Sequence, residues 1–282
     1  MKLHFLGTGA AEGVPAVFCK CPTCEEIRRR GKKEFHSRSQ LLIDENVCVD
    51  FPPDAYAHSL RFGVDLTAIE HLLVTHSHMD HFYAHDFVLR GYKYTRTPLK
   101  ALHIYGNEEV KKVYEECTRR ELRDDVAQTI FVHTIQPFEP FFFDGYKATA
   151  LLAQHSVKET AYVYLIEKGN ILYLHLTDTG RLPLPTLEWL QAYCQKENKC
   201  VNAVTFDCTF LFSTGGEVSR HMGLEDNRIM QEELHKRNIT NEHSRYVITH
   251  YSHNNAPLSE TLSRAQTQYG YLSAYDGMTL EI

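Results

Sequence analysis

The sequence predicts an α+β protein in which two packed mixed sheets carry helices on their outer faces, an αββα sandwich. Three observations lead there. Hairpin-like strand pairs occur in both halves of the chain. Strands and helices are intermingled without the regular alternation that a single doubly wound parallel sheet requires. Of the 282 residues, 43% are hydrophobic, enough for a sizeable core.

Residues 1–6 read as a first strand, and Gly7-Thr8-Gly9 with Gly13 supplies a tight loop of the kind glycine permits. Residues 40–43 and 46–50 are short apolar runs around Asp44-Glu45, which predicts a hairpin. Pro52 and Pro53 suit the first turn of a helix that runs to Phe62, where Gly63 ends it. His71-Leu72-Leu73-Val74 reads as a buried strand. Strands at 99–105 and 130–133 flank a helix over 108–122, and three more strands follow at 147–153, 161–166 and 170–175. A helix over 184–196, a strand at 201–206, a helix over 224–237 and a strand at 245–249 complete the order. No repeat, low-complexity tract or linker interrupts it, so residues 1–282 are expected to form one domain.

Charge is mildly acidic, 30 Lys and Arg against 36 Asp and Glu, for a formal net charge of −6. That argues against a protein that relies on gripping nucleic acid, because phosphate-backbone affinity comes from clustered Lys and Arg. The one basic run, Arg28-Arg29-Arg30 with Lys32 and Lys33, reads first as a solvated helix end after Cys24-Glu25-Glu26-Ile27. Its second reading is a contact for a nucleic acid or an anionic metabolite. No stretch approaches the roughly 18 apolar residues of a membrane span, and Met1-Lys2-Leu3-His4-Phe5 lacks a signal peptide's apolar core. A soluble, cytoplasmic protein is expected.

Against this ordinary background, 17 His and 8 Cys stand beside a single Trp. The strongest signal is Thr75-His76-Ser77-His78-Met79-Asp80-His81, directly after the strand that ends at Val74. A buried strand end is a rigid base, and the following turn can aim four side chains into one cavity. Imidazole suits zinc, iron and manganese, and the carboxylate adds a harder ligand. The bland alternative is a polar loop whose histidines cap a helix near His81. His155, Asp178 and His250 each follow a predicted strand. Singly, each reads as a turn residue. Together with the motif they supply the further ligands that two divalent ions require, and a carboxylate such as Asp178 can bridge both.

The set His76, His78, Asp80, His81, His155, Asp178 and His250, with Gly7-Thr8-Gly9 near the start, resembles the metallo-β-lactamase-fold hydrolases in chain order and spacing. Within that superfamily the chain is similar to the PhnP-type phosphodiesterases of phosphonate breakdown, which open cyclic ribose phosphates. Gly13-Val14-Pro15-Ala16 ahead of a cysteine cluster, Leu73-Val74-Thr75-His76, Leu176-Thr177-Asp178-Thr179 and Ile248-Thr249-His250-Tyr251-Ser252-His253 carry the likeness. The resemblance implies a metal-dependent phosphodiesterase acting on a small cyclic-ribose or nucleotide-like phosphodiester. Its seven ligands would hold two divalent ions, manganese or zinc with iron as a third candidate, that share a water and lower its pKa to near neutrality. Asp80 would help orient the resulting hydroxide. His221, in Ser219-Arg220-His221-Met222-Gly223, matches a family histidine that contacts the substrate phosphate and assists proton transfer. Its other reading is a helix-start residue before Leu224. A tRNA 3′-processing nuclease would share the seven ligands, but the basic or Gly-rich arm of such enzymes has no counterpart here. Hydrolases of thioesters and lactones share the fold. Di-iron oxidoreductases of the fold place an acid where His78 stands and attach a flavin domain, and this sequence has neither feature.

Cys19-Lys20-Cys21-Pro22-Thr23-Cys24 holds three thiols that cannot all pair with one another, whereas structural zinc takes four N or S ligands. The resemblance implies His253 as the fourth. Cys48, Cys117, Cys194, Cys200 and Cys208 read as small core residues without disulfides. His71, His103, His133 and His175 read as hydrogen-bonded structural residues, while His4, His36, His58, His85, His235 and His243 have no evident partner. Segment 83–125, which includes Arg90-Gly91-Tyr92-Lys93-Tyr94-Thr95-Arg96, is longer than the corresponding family region. It reads as a packed loop, a contact in a homodimer, or a surface that stacks on a base and holds a phosphate.

Overall fold

The computed structural model describes residues 1–91 and 93–282; Tyr92, within the basic and aromatic run noted above, lies outside the described residues. In chain order the strands are β1 (Lys2–Gly7), β2 (Gln40–Ile43), β3 (Val47–Val49), β4 (His71–Leu73), β5 (Leu102–Gly106), β6 (Ile130–Thr134), β7 (Pro140–Phe143), β8 (Tyr146–Leu152), β9 (Tyr162–Lys168), β10 (Ile171–Leu176), β11 (Ala203–Asp207), β12 (Arg245–Thr249), β13 (Leu272–Ser273) and β14 (Met278–Glu281). The helices are α1 (Pro22–Arg30), α2 (Ala55–Phe62), α3 (Glu108–Thr118), α4 (Asp124–Ala127), α5 (Leu184–Glu197), α6 (Leu224–Lys236) and α7 (Ser259–Tyr269). Two seven-stranded sheets result, ordered β14-β1-β2-β3-β4-β5-β6 and β13-β12-β11-β10-β9-β8-β7. Both are mixed. β3 to β6 run parallel to one another, as do β10 to β13, while the remaining pairings are antiparallel.

Three apolar layers hold the sandwich together. Between the sheets, Leu3, Phe5, Leu41 and Val49 of the first meet Ala148, Tyr164, Ile166 and Val247 of the second. Outside the second sheet, Leu174 and Phe206 are covered by Leu190 of α5, Met230 of α6 and Leu262 of α7. Outside the first, Leu72 and Ile104 are covered by Ala55 of α2 and by Val110 and Tyr114 of α3. β10 is buried on both faces, as expected for a strand covered from both sides.

The expected αββα sandwich is what forms, and most element boundaries agree within a few residues. Several local expectations are corrected. α2 starts at Ala55, so Pro52 and Pro53 precede the helix; the Asp54 carboxylate accepts from Arg38 N at 3.0 Å and does not cap. Gly63 does end α2, in the left-handed conformation at φ 67°. Gly7 and Gly9 are required by close approach, not by backbone angle: a Cβ at Gly7 would lie 1.9 Å from Arg38 O and one at Gly9 2.6 Å from His36 O. Only Gly13 of that trio takes positive φ. Residues 99–101 stay outside β5, and α3 stops at Thr118, whose hydroxyl donates to Tyr114 O at 2.7 Å. Cys117 is half-buried against the apolar layer outside the first sheet, Cys200 is half-buried outside these layers, and all eight cysteines are free of disulfides. Segment 83–125 supplies β5 and α3 and packs Phe87 into the apolar layer outside the first sheet. Short β7, β13 and β14, together with α7, carry too little pattern to be read from sequence.

Candidate metal centre

Strand direction brings the candidate residues to one edge. β8 and β10 are each antiparallel to β9, so they run the same way, and His155 and Asp178 leave the second sheet at the same end. β11 and β12 run parallel to β10 and deliver Asp207 and His250 there. From the first sheet, parallel β3 and β4 bring Asp50 and the loop from Thr75 to His81 to the facing edge. The first loop fastens the two edges together: Tyr251 N donates to Thr8 O and Ala10 N to Tyr251 O, both at 2.9 Å.

The seven residues expected to bind metal converge in two overlapping groups whose ligand atoms lie within 4.8 Å of one another: His76, His78, His155 and Asp178, and Asp80, His81, Asp178 and His250. Asp178 belongs to both. Its Oδ2 lies 3.3 Å from His76 Nε2 and 3.1 Å from His81 Nε2, and its Oδ1 lies 3.1 Å from His155 Nδ1. His76 Nε2 faces His78 Nδ1 at 2.8 Å, and His81 Nε2 is 3.1 Å from Asp80 Oδ2. Except for His78, which is exposed, all of these side chains are buried.

His78 Nδ1 shares hydrogen bonds with His76 Nε2 and, at 3.3 Å, with His155 Nε2, but the remaining contacts are not all hydrogen bonds. His81 Nε2, His250 Nε2 and Asp178 Oδ1 are buried and have no hydrogen-bond partner. Buried polar atoms without partners are costly and rare. Lone pairs that converge without bonding one another fit a cation between them, and the mixed N and O donor set suits zinc, manganese or iron. Burial also keeps the His76 imidazole well below its usual pKa, reinforced by the neighbouring charge of His81. His155 is lowered for the same first reason. Neutral imidazole is the form that can donate a lone pair.

A further shell orients the ligands. Asp50 Oδ2 lies 2.6 Å from His81 Nδ1, and Asp50 Oδ1 accepts from Thr75 N at 2.8 Å. Glu159 accepts from Ser77 N at 3.0 Å, Ser77 Oγ at 2.8 Å and Asn107 Nδ2 at 2.8 Å, which clamps the loop between His76 and His78. Asp207, fully buried, accepts from Thr209 N and Met222 N at 3.0 Å each. Its Oδ2 stands 3.1 Å from His221 Nδ1 and 3.3 Å from His250 Nδ1. His221 Nδ1 is also 3.0 Å from Asp178 Oδ1, so the sequence-predicted histidine does reach the site. Burial opposes charge on His221, but Asp207 and Asp178 outweigh it and push its pKa up to about 11. Asp50, Glu159, Asp207 and Thr209 were not singled out from sequence. An acid at a strand end was the available signal for Asp50 and Asp207, as it was for Asp178. Three strand-end residues, Asp50, Asp178 and His250, take positive φ (63°, 57° and 64°), the local strain that recurs at functional edges.

The cysteine cluster assembles separately. Cys19, Cys21, Cys24 and His253 bring their ligand atoms within 4.8 Å of one another. Backbone amides point at the sulfurs, Cys24 N to Cys21 Sγ at 3.5 Å and Ala16 N to Cys24 Sγ at 3.4 Å. The amide of Cys24 lowers the Cys21 thiol to about 7. Three soft thiols and one imidazole are the donor set of a closed zinc site. The arginines of the basic run close α1, where Arg28 pairs with Glu25, Arg29 with Glu26, and Arg30 with Glu26 and with Glu260 of α7, while Lys32 and Lys33 lie in the turn that follows. Of the histidines without an evident partner, His36 and His58 are held in buried hydrogen bonds, His36 Nδ1 meeting Thr8 Oγ1 at 2.7 Å and His58 Nδ1 meeting Gln40 Oε1 at 2.6 Å, while exposed His243 lies 3.5 Å from Glu242.

A family model described as a beta-lactamase superfamily domain matches residues 45–227, more than half of the chain. The chain belongs to this superfamily. A ribonuclease Z of Halalkalibacterium halodurans is 26% identical over 204 residues, 68% of this chain and 58% of that protein. An octanoyltransferase of Porphyromonas gingivalis is 34% identical over 85 residues, 29% of this chain and 16% of that protein. The chain thus spans less than two thirds of either relative. Among solved structures, a diphosphatase of the PhnP family aligns with a TM-score of 0.71 at 23% identity over 100% of this chain and 97% of that one. Zinc-bound PqqB from Methylobacterium extorquens aligns with a TM-score of 0.74 at 17% identity over the full length of both chains. These superpositions establish the metallo-β-lactamase fold. No helix among the described residues is long and apolar enough to cross a membrane.

Proposed function

We propose that this chain is a metal-dependent hydrolase that cleaves a small phosphodiester. The observation that carries this reading is the convergence of seven His and Asp side chains on the shared Asp178, with three of their buried polar atoms left without hydrogen bonds. In this reading His76, His78, His155 and Asp178 hold one divalent ion, and Asp80, His81, Asp178 and His250 hold a second. When bound, such ions supply Lewis acidity, lowering the pKa of water and offsetting charge on a phosphoryl group. The chain's own residues do the rest. Asp50 and Asp207 hold the His81 and His250 imidazoles by their Nδ1 atoms, so that each presents Nε2 to the centre. His221, half-buried at the rim with Nδ1 against Asp207, keeps a proton that Nε2 can deliver to a leaving alkoxide. Cys19, Cys21, Cys24 and His253 hold a structural zinc that ties the first loop to the site.

The test is hydrolysis of bis(p-nitrophenyl) phosphate and of a ribose cyclic phosphate by manganese- or zinc-loaded protein. Turnover is expected, and His78→Ala should lower kcat/KM by at least about a hundredfold, in line with loss of a metal ligand or its orienting partner. Absence of turnover with every divalent ion tried sinks the reading. The relative named ribonuclease Z supports a second one, a tRNA 3′-processing nuclease. It requires tRNA binding at low salt, and failure to bind removes it.

A further inference from the structure

Outside the first sheet, a cavity of about 580 Å³ opens between α2 and the 3₁₀ helix Ala84–Arg90. Phe51, Leu72, Phe87 and Leu102, all buried, form its floor, and Tyr56 and Leu89, 64% and 47% exposed, stand at its mouth. Sites for small organic ligands run from roughly 300 to 1,000 Å³, are mostly apolar and carry a few placed polar groups. None of the seven candidate metal ligands lines this cavity. It backs onto the loop that holds them: Phe51 N donates to His81 O and Tyr83 N to Phe51 O, both at 2.7 Å, and Phe51 and Tyr83 are part of its wall.

Among the described residues two charged side chains line it, Asp86 and Arg90. Both are half-buried, and neither forms an ion pair with the other or with any other described residue. Arg90 donates Nη2 to Lys100 O at 2.6 Å, while its Nε is buried without a partner. Burial raises the Asp86 carboxyl, against the pull of His85, and lowers the Arg90 guanidinium, so both charges are kept at a cost. Other charges close by in the chain are engaged elsewhere: Asp54 with Arg38, Arg61 with Asp276, Glu70 with Lys100 and Asp125 with Arg123, while Asp65 accepts from Thr67 N. Lys93 and Arg96 are exposed and do not line the cavity. Asp86 and Arg90 are four residues apart on the 3₁₀ helix, and a rise of roughly 2 Å per residue sets their Cα atoms about 8 Å apart.

We propose that this cavity is a second binding site, for an apolar dipeptide held as a zwitterion, its ammonium on Asp86 and its carboxylate on Arg90. The pair of unanswered charges selects the ligand. An apolar monoanion, whether a fatty acid or a phosphate ester, would answer Arg90 and leave Asp86 desolvated without a partner, and a neutral ligand would leave both so. A free amino acid carries its two charges on one carbon and is too short to meet both side chains. An extended dipeptide spans about 7 Å from end to end, which matches their separation, and brings two apolar side chains to the cavity. Each end then forms a charge-assisted hydrogen bond, about twice as strong as a neutral one.

Calorimetric titration of the metal-loaded full chain with the dipeptide Leu-Phe tests this apart from turnover. Saturable one-to-one binding is expected. N-acetyl-Leu-Phe, Leu-Phe amide and free leucine should each bind at least about tenfold more weakly, the weight of one hydrogen bond to a charged group. Asp86→Asn should weaken Leu-Phe by a similar factor and leave the acetylated form unchanged, and Arg90→Gln should weaken Leu-Phe and leave the amide unchanged, because each substitution removes the partner that the modified ligand has already lost. The comparison of ligands on the wild type decides the matter even if Arg90→Gln fails to fold. No binding at millimolar Leu-Phe overturns the proposal, as does binding of the capped forms or of free leucine as tightly as Leu-Phe. Binding of Leu-Phe that neither substitution weakens places the dipeptide at the metal centre and overturns it as well.

Discussion

Asp207 is buried completely and still ionised: burial opposes its charge, but His221 and His250 beside it lower its pKa to about 2. It in turn is the main support for the proton on His221. A cation held by Asp178 would draw on that carboxylate's charge and leave Asp207 as the main partner of His221. If His221 is the general acid, activity falls as pH rises through its pKa. Asp207→Asn should therefore lower kcat by roughly a hundredfold and move the alkaline limb of the kcat profile to lower pH, with a smaller change in KM. An unshifted limb would assign Asp207 a structural role alone. His175 behaves in the opposite sense. It is buried in β10 with Nδ1 at 2.9 Å from Tyr173 Oη, and burial pushes its pKa from 6.5 down to about 3. Below pH 6.5 the unfolded chain takes up a proton there that the folded chain refuses. Stability is therefore lost as pH falls, by up to about 1.4 kcal/mol per pH unit. His175→Gln should flatten this slope between neutral and mildly acidic pH, measured as the urea midpoint of variant and wild type at each pH.

At the scale of elements, what was legible depended on where each signal is encoded. The loop from His76 to His81 packs four ligands into six consecutive residues after an apolar strand, so its chemistry can be read locally. α2, α5 and α6 declare themselves through periodic apolar residues and stop signals such as Gly63 and Asn198, both left-handed. β7, β13 and β14 are four residues or fewer and become strands only because a neighbour offers its edge, as β1 does for β14. Gly7-Thr8-Gly9 was legible as a special loop, but its reason was not: the backbone of Arg38 passes where a Cβ would sit. Gly7→Ala should accordingly cost about 3 kcal/mol by forcing β1 away from β2. Chemical denaturation checks it, and a cost under about 0.5 kcal/mol would show that the strands can part freely.

Across the whole molecule, the two sheets are joined by polar bonds as well as by the shared core. Tyr164 of β9 is fully buried, and its hydroxyl donates to Val74 O at 2.7 Å, the carbonyl just before the metal loop. Burial raises its pKa well above the usual phenol value, so it stays a donor across the accessible pH range. Tyr164→Phe leaves that carbonyl short of a donor and should destabilise the chain by about 1–2 kcal/mol. If the bond also sets the loop, the same variant should bind zinc more weakly in a chelator competition; unchanged stability and affinity together would make the bond incidental.

The sequence by itself determined the sandwich, the seven His and Asp candidates and the three clustered cysteines, because each rests on residue types at short spacings or directly after recognisable strands; His221 and His253 were indicated only by the resemblance to metallo-β-lactamase-fold hydrolases. Only the tertiary structure decided which groups orient them. Asp50 reaches His81 across 31 positions of sequence, and Asp207 reaches His250 from an adjacent parallel strand. Side-chain chemistry is written along the chain, whereas the partners that tune it are chosen by how strands are ordered and which ends they share.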